Sequence, residues 1–186
     1  MASPVVKESK KRPTMTLKIG ISSCLLGDRV RYDATDKWST RLHQFLDGRV
    51  EWVPVCPEVE VGMGVPREPV CLVGDLQDPR MVGRETGTDW TLQMLELCHL
   101  RIHEFKSLEV SGVVLKKASP SCGPDGVPVF STTSGKDTGS RGSGLLVRVL
   151  LQELPGFPVV DEDTVSSQSG ATGFLKQASL YRKNFF

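Results

Sequence analysis

Short apolar strands alternate along this chain with amphipathic helices, and this alternation restricts its fold more than any other feature. The strand-like runs lie at residues 17–21, 50–55, 112–115 and 157–160. Such alternation predicts an α/β fold with three layers, in which a mostly parallel sheet carries helices on both faces, as in Rossmann or flavodoxin-like proteins. In these sheets, the ligand site lies beyond the carboxyl ends of the strands.

Three helical patterns separate the strands. Apolar residues at helical spacing predict helices at residues 36–46, 88–106 and 145–154. Residues 62–88 are rich in Gly, Pro and Arg and indicate an ordered surface loop.

The 186-residue length and 39% hydrophobic composition suit one domain with its own core. We expect a disordered N-terminal extension at residues 1–15, a single α/β domain at 16–163 and a C-terminal tail at 164–186. The formal net charge of +1 gives no reason to expect nucleic-acid or membrane binding. With no apolar run of 18 residues and no signal-peptide pattern, the expected setting is the cytoplasm. The oligomeric state stays open.

Three of the five cysteines follow strands. Cys24 and Cys56 come just after the first two strands, and Cys122 comes a few residues after the third. The strand order therefore predicts that three thiols meet at one edge of the sheet. Cys71 and Cys98 fit better as buried apolar residues.

Spacing alone leaves the role of these thiols open. Structural zinc sites normally use four ligands in compact Cys-x-x-Cys pairs, and this chain has no such pair. His99 and His103 could share a helix face, which is weak evidence for a metal site. A cubane iron–sulfur cluster usually takes four thiolates, so three would leave one iron open for substrate. Inert structural thiols are the other interpretation.

Motifs around the three cysteines carry a more specific signal. They read SSCLLG followed by VRYD around Cys24, VCPEVE followed by GMGVPR around Cys56, and LKKASPSCG around Cys122. In these motifs, over residues 16–160, the chain resembles the DUF523 family, which includes the thiouracil desulfidase enzymes.

The resemblance implies a cytoplasmic α/β enzyme, a hydrolase or lyase, with a [4Fe-4S] cluster bound by the three motif cysteines. It implies that the open iron binds the sulfur of a thiolated nucleobase, 2- or 4-thiouracil or its nucleotide. Oxygen then replaces sulfur without redox change, and sulfide is released. Glu58 and Ser119 correspond to the acid/base candidates of the family, and Ser121 could equally supply the active hydroxyl.

Candidate substrate-binding residues lie in the motif loops or at strand ends. They are Ser23, Arg31, Tyr32, Asp33, Arg67 and Lys116. The cationic residues could balance a negative cluster or hold a substrate phosphate, and Tyr32 and Asp33 could contact a base.

A Gly-rich segment at residues 138–144 precedes a predicted helix. With Arg141, its backbone would suit an anion at the helix N-terminus. The resemblance implies a simpler Gly-Val-Thr at this point in most family members.

Two other functions remain alternatives. One is a sulfur-transfer enzyme of the tRNA-thiolation type, which would favour a broad basic face that this near-neutral chain lacks. The other is a non-catalytic α/β module that binds a small molecule beside inert thiols.

Overall fold

The computed structural model of the protein describes residues 16–186, so the extension expected at 1–15 lies outside the described residues. The strands are β1 (Leu17–Ser22), β2 (Val50–Val55), β3 (Val70–Gly74), β4 (Pro79–Gly83), β5 (Val110–Leu115), β6 (Val127–Phe130), β7 (Asp137–Gly142) and β8 (Val159–Asp161). The helices are α1 (Thr40–Leu46), α2 (Pro57–Glu60), α3 (Thr91–Ser107), α4 (Leu145–Glu153) and α5 (Gln168–Phe185). None of these helices is both long enough and apolar enough to span a membrane.

The first sheet is entirely parallel and has the strand order β2-β1-β5-β8. β1 lies between β2 and β5, with Ser22 opposite Val55 and Ile21 opposite Val114. The carboxyl ends of these strands therefore lie at one level of one sheet edge. The predicted α/β class is confirmed.

A second sheet, in the order β4-β3-β6-β7, departs from the expectation of a single sheet. β3 and β4 form an antiparallel hairpin within residues 62–88, where a loop was expected. Leu72 and Met81 are fully buried and pair across this hairpin. The loop prediction was wrong because each strand has only five residues and its glycines and prolines resemble turn signals.

Helices cover both faces of the parallel sheet. Val113 and Leu115 of β5 belong to a core shared with α3 and α4. Val114, the residue between them, belongs to a second core with Ile19 and Ile21 of β1 and with α1 and α5. This division follows from the alternation of side chains along a strand.

α1 is shorter than its predicted span of residues 36–46. It begins at Thr40, where the Ser39 hydroxyl accepts a hydrogen bond from Leu42 N. Trp38, placed on the helical face by its spacing, instead stacks on His43 at a centroid distance of 3.7 Å. The N-cap serine therefore marks the start of the helix more accurately than the apolar spacing does.

The C-terminal segment differs from the tail expected at residues 164–186. Ser167 caps α5 by accepting a hydrogen bond from Gly170 N at 3.1 Å. Buried side chains then recur every three or four positions along α5, at Ala171, Phe174, Leu175, Ala178 and Tyr181. The surrounding Ser, Gln, Gly and Thr residues resemble a tail in composition, but this apolar stripe packs the helix onto the domain.

Replacing Phe174 tests whether α5 is part of the domain. Its side chain is 1% exposed and would lie 3.0 Å from a Cβ added at Gly112 of β5. We expect Phe174→Ala to lower the free energy of unfolding by about 3–5 kcal/mol because it leaves a cavity. Urea unfolding followed by circular dichroism measures this change. Phe185→Ala is the control, since Phe185 is 60% exposed. Equal effects of the two variants would contradict the role of α5 in the core.

Candidate active site

Three cysteines reach one cavity from three strand ends. Cys24 lies in a 3₁₀ turn that begins directly after β1, and Cys56 follows β2 at the start of α2. Cys122 lies in the turn after β5, and all three line a cavity of about 350 Å³. Cys71 in β3 and Cys98 in α3 are outside its lining. The structure thus brings together the thiols that the motifs single out.

Most of the other candidate residues also line this cavity. They are Ser23, Arg31, Tyr32, Glu58, Arg67, Lys116, Ser119 and Ser121. Asp33 is outside the lining and exposed, where its carboxylate accepts hydrogen bonds from Thr35 N and Oγ1. It also lies 3.6 Å from Arg31, which does line the cavity.

The thiols of the cavity are buried close enough to influence one another. Burial raises the pKa of the Cys24 thiol to about 12, with contributions from Cys122 and Cys56. Burial also raises the pKa of Cys56 to about 11. At Cys122 burial raises the pKa, and the neighbouring hydroxyl groups of Ser119, Ser22 and Ser121 oppose the rise. These thiols are therefore neutral on their own and need a cationic group to become thiolates.

The turn that carries Cys122 rests on the N-terminus of α4. The N–H groups of Leu145 and Leu146 donate to the carbonyls of Pro120 and Ser121 at 3.2 and 2.9 Å. The first amides of a helix have no partner within the helix, and here the turn satisfies them. The helix thereby fixes the backbone before the cysteine, and Gly144 N, which donates to Gly123 O at 2.8 Å, fixes it after the cysteine.

Two glycines make this close packing possible. A Cβ on Gly144 would lie 2.6 Å from Cys122 N and 2.8 Å from Ser119 O. A Cβ on Gly123 would lie 2.6 Å from Ser119 N. All three contacts are with backbone atoms, which cannot move aside without displacing the turn.

The prediction of an anion site in the Gly-rich segment is wrong. Residues Asp137–Gly142 form β7, and Arg141 makes an ion pair with Asp137. The Cys122 turn already occupies the amides that open α4, so they are not available to an anion. No local pattern predicts this pairing of turn and helix, because its two halves lie more than 20 residues apart.

A chain of hydrogen bonds runs from the Cys122 turn to a carboxylate. Ser121 Oγ donates to Glu58 Oε1 at 2.8 Å and lies 3.0 Å from Ser119 Oγ. Because Ser121 uses its proton toward Glu58, the Ser119 hydroxyl is the donor in the second contact. Arg67 binds the other carboxylate oxygen, with Nε at 2.9 Å. The three acid/base candidates are thus connected in series.

Lys116 is held at the cavity by a residue that the sequence did not single out. Its ammonium group bonds the carboxylate of Glu162, and Glu162 Oε2 also accepts from Lys117 N at 2.7 Å. The Glu162 side chain is 13% exposed, whereas Asp163, which pairs with Lys117, is 65% exposed. Glu162 lies 46 positions after Lys116, so only the pairing of β5 with β8 brings it there.

The donor set fits an iron–sulfur cluster better than a single ion. Within residues 16–186, no three His, Cys, Asp or Glu side chains are grouped closely enough to hold one metal ion. His99, considered above as a ligand, instead bonds Glu153 at 2.6 Å. A cubane distributes its thiolates over separate irons, which suits three thiols spread around a cavity.

Together these features define an α/β protein whose three-thiol cavity has the ligand chemistry of an iron–sulfur site. The model of the 2-thiouracil desulfurase family matches residues 19–162, and the chain belongs to this family. The resemblance to DUF523 proteins is thereby confirmed.

Two known proteins are similar to this chain. The chain is 31% identical over 151 residues to the uncharacterized protein YbbK of Bacillus subtilis (strain 168), a match that covers 78% of this chain and 96% of the relative. A solved structure described as the [4Fe-4S]-dependent thiouracil desulfidase TudS (DUF523Vcz) matches with a TM-score of 0.64 and 29% identity. That match covers 85% of this chain and 99% of the solved one.

Replacing Gly144 tests the packing of the Cys122 turn on α4. We expect Gly144→Ala to lower the melting temperature and the iron content after reconstitution, because the added methyl group collides with the turn. Thermal unfolding and iron per chain measure the two effects. Gly173→Ala in α5 is the matched control, since no atom lies within 4 Å of its added Cβ. It should raise stability by about 0.5–1 kcal/mol. Unchanged iron content in Gly144→Ala would contradict the role of this contact.

Proposed function

We propose that the protein is a [4Fe-4S]-dependent desulfidase acting on a thiolated nucleobase, 2- or 4-thiouracil or its nucleotide. Oxygen from water replaces the sulfur, and sulfide is released. The observation that carries the proposal is that three cysteines and a serine–carboxylate chain share one cavity. Membership of the 2-thiouracil desulfurase family and the likeness to TudS support it.

Cys24, Cys56 and Cys122 would hold the cluster. When bound, it would supply an open, Lewis-acidic iron that suits the soft sulfur of a thiocarbonyl. Cys71 and Cys98 lie outside the cavity and have no part in the proposed ligand set.

Glu58 is the proposed base, with Ser121 and Ser119 as its relay. The reaction consumes one water and converts C=S to C=O with release of H₂S, so protons must move from oxygen to sulfur. A carboxylate within hydrogen-bond reach of a hydroxyl can accept a proton and return it. Arg67 fixes the carboxylate by binding the oxygen that Ser121 leaves free.

The cations and the aromatic ring of the cavity are proposed to position the substrate. Tyr32 is 41% exposed, and the Arg31 guanidinium lies 5.4 Å from its ring centroid. This pair forms a flat surface on which a pyrimidine could stack. Ser23 and Lys116 would offer polar contacts from the neighbouring ends of β1 and β5, and Asp33 would act indirectly by holding Arg31.

We further propose that the parallel sheet and its two helical layers form a three-layer, Rossmann-like unit.

The five cysteines of the described chain are free thiols, which accords with a reducing compartment such as the cytoplasm.

Serine substitutions test the ligand set. We expect Cys24→Ser, Cys56→Ser and Cys122→Ser to abolish cluster binding, since each removes one of three thiolates. Iron and acid-labile sulfide per chain, measured after anaerobic reconstitution, report the loss. Cys71→Ser and Cys98→Ala should retain the cluster. If Cys98→Ala loses it as completely as Cys56→Ser, the ligand assignment fails.

Replacing Glu58 tests the proposed base. We expect Glu58→Gln to keep its cluster and to lower sulfide release from 2- or 4-thiouracil, or their nucleotides, by about 10²–10⁴-fold. The amide keeps the shape of the side chain but cannot accept the proton. Glu51→Gln, at an exposed position of β2, is the control and should retain full activity. Wild-type protein that holds its cluster but releases no sulfide from any of these substrates would refute the proposed reaction.

A further inference from the structure

Ser22 connects two of the strand ends that build the cavity. It is the last residue of β1 and is 3% exposed. Its hydroxyl oxygen lies 3.4 Å from Cys122 Sγ and 2.9 Å from the backbone nitrogen of Lys116. It also precedes Cys24 by two residues, so one side chain links the segments carrying two of the thiols.

The direction of these hydrogen bonds follows from their chemistry. A backbone N–H can only donate, so Ser22 Oγ is the acceptor toward Lys116. The hydroxyl proton of Ser22 is therefore free to point at the sulfur. When Cys122 is a thiolate its sulfur can only accept, which makes Ser22 the donor of an O–H···S hydrogen bond.

Ser23 provides the contrast. It lines the same cavity and is 9% exposed. Nevertheless, its side chain makes no hydrogen bond to a thiol within residues 16–186. The two adjacent serines therefore differ in their contact with sulfur, although both lie at the end of β1.

We propose that Ser22 is a positioning residue that donates a hydrogen bond to the Cys122 thiolate and thereby sets the electron density on this cluster ligand. The inference rests on the proposed function, because it requires the cluster. A hydrogen bond to a ligand sulfur withdraws charge from the sulfur, which raises the reduction potential of an iron–sulfur cluster and orients the ligand. The proposal involves no additional reaction step.

The test compares Ser22→Ala, Ser22→Thr and Ser23→Ala with wild type, all reconstituted anaerobically. Redox titration gives the reduction potential, and the rate of iron loss to a chelator gives cluster retention. Resonance Raman spectra in H₂O and D₂O report hydrogen bonds to the ligand sulfurs through the Fe–S stretching bands. None of these readouts depends on turnover.

We expect Ser22→Ala to have a more negative potential, iron loss accelerated by about 10–100-fold, and a reduced D₂O shift. Ser22→Thr keeps the hydroxyl and Ser23→Ala keeps Ser22, so both should match wild type in reduction potential, rate of iron loss and D₂O shift. A Ser22→Ala protein with wild-type potential and an unchanged D₂O shift would overturn the inference.

The inference remains testable even if Ser22→Ala does not fold. Wild-type Fe–S bands that do not respond to D₂O, or that lose their response in Ser119→Ala, would then overturn it, and a response that is retained in Ser119→Ala and in Ser22→Thr would support it. Failure of the proposed function looks different, because wild-type protein that binds no iron under any reconstitution overturns both proposals. A loaded, active wild type with no effect in Ser22→Ala overturns only the role of Ser22.

Discussion

The parallel pairing of β1 with β2 on one side and β5 on the other is the interaction on which the site depends. Ser22 lies opposite Val55, and the N–H of Lys116 bonds the Ser22 hydroxyl, so the three strands end together. A register slip of one residue would move a cysteine by about 3.3 Å and reverse the direction of its side chain. The two hydrophobic cores that pack on alternate residues of β5 resist such a slip, and in this way packing remote from the cavity fixes the positions of its thiols.

Most cationic side chains of the cavity form ion pairs with carboxylates. Arg67 pairs with Glu58, and Lys116 pairs with Glu162, in contacts with little exposure to water. Such pairs keep their geometry better than exposed ones, because breaking them would leave a charge without a partner. The cavity therefore presents a fixed pattern of charge, in which Arg31 is also held, 2.9 Å from Thr35 Oγ1 and 3.6 Å from the Asp33 carboxylate.

Much of the architecture around the cysteines could be predicted from the sequence, because parallel strands have a strict rule for where their ends meet. The alternation of strand and helix placed Cys24, Cys56 and Cys122 at one edge. The second sheet could not be predicted in the same way, since Gly74 and Pro79 resemble loop residues although they belong to a hairpin.

Two further features depend on contacts between segments far apart in the chain. Glu162 contacts Lys116 only because β5 pairs with β8. Gly144 lies next to Cys122 only because the Cys122 turn packs on α4. No local pattern of residues encodes either contact. In α5 the apolar spacing was present in the sequence, but its polar composition concealed it.

The three thiols come from positions 24, 56 and 122, with a whole strand–helix unit or more between successive ones. A zinc finger can gather its ligands from a short peptide and folds around its metal. This chain cannot, since its three thiols are neighbours only after the parallel sheet has formed. Its apolar core is large enough to assemble without a metal. Under the proposed function, the polypeptide would therefore fold first, and the cluster would be inserted afterwards into a preformed site.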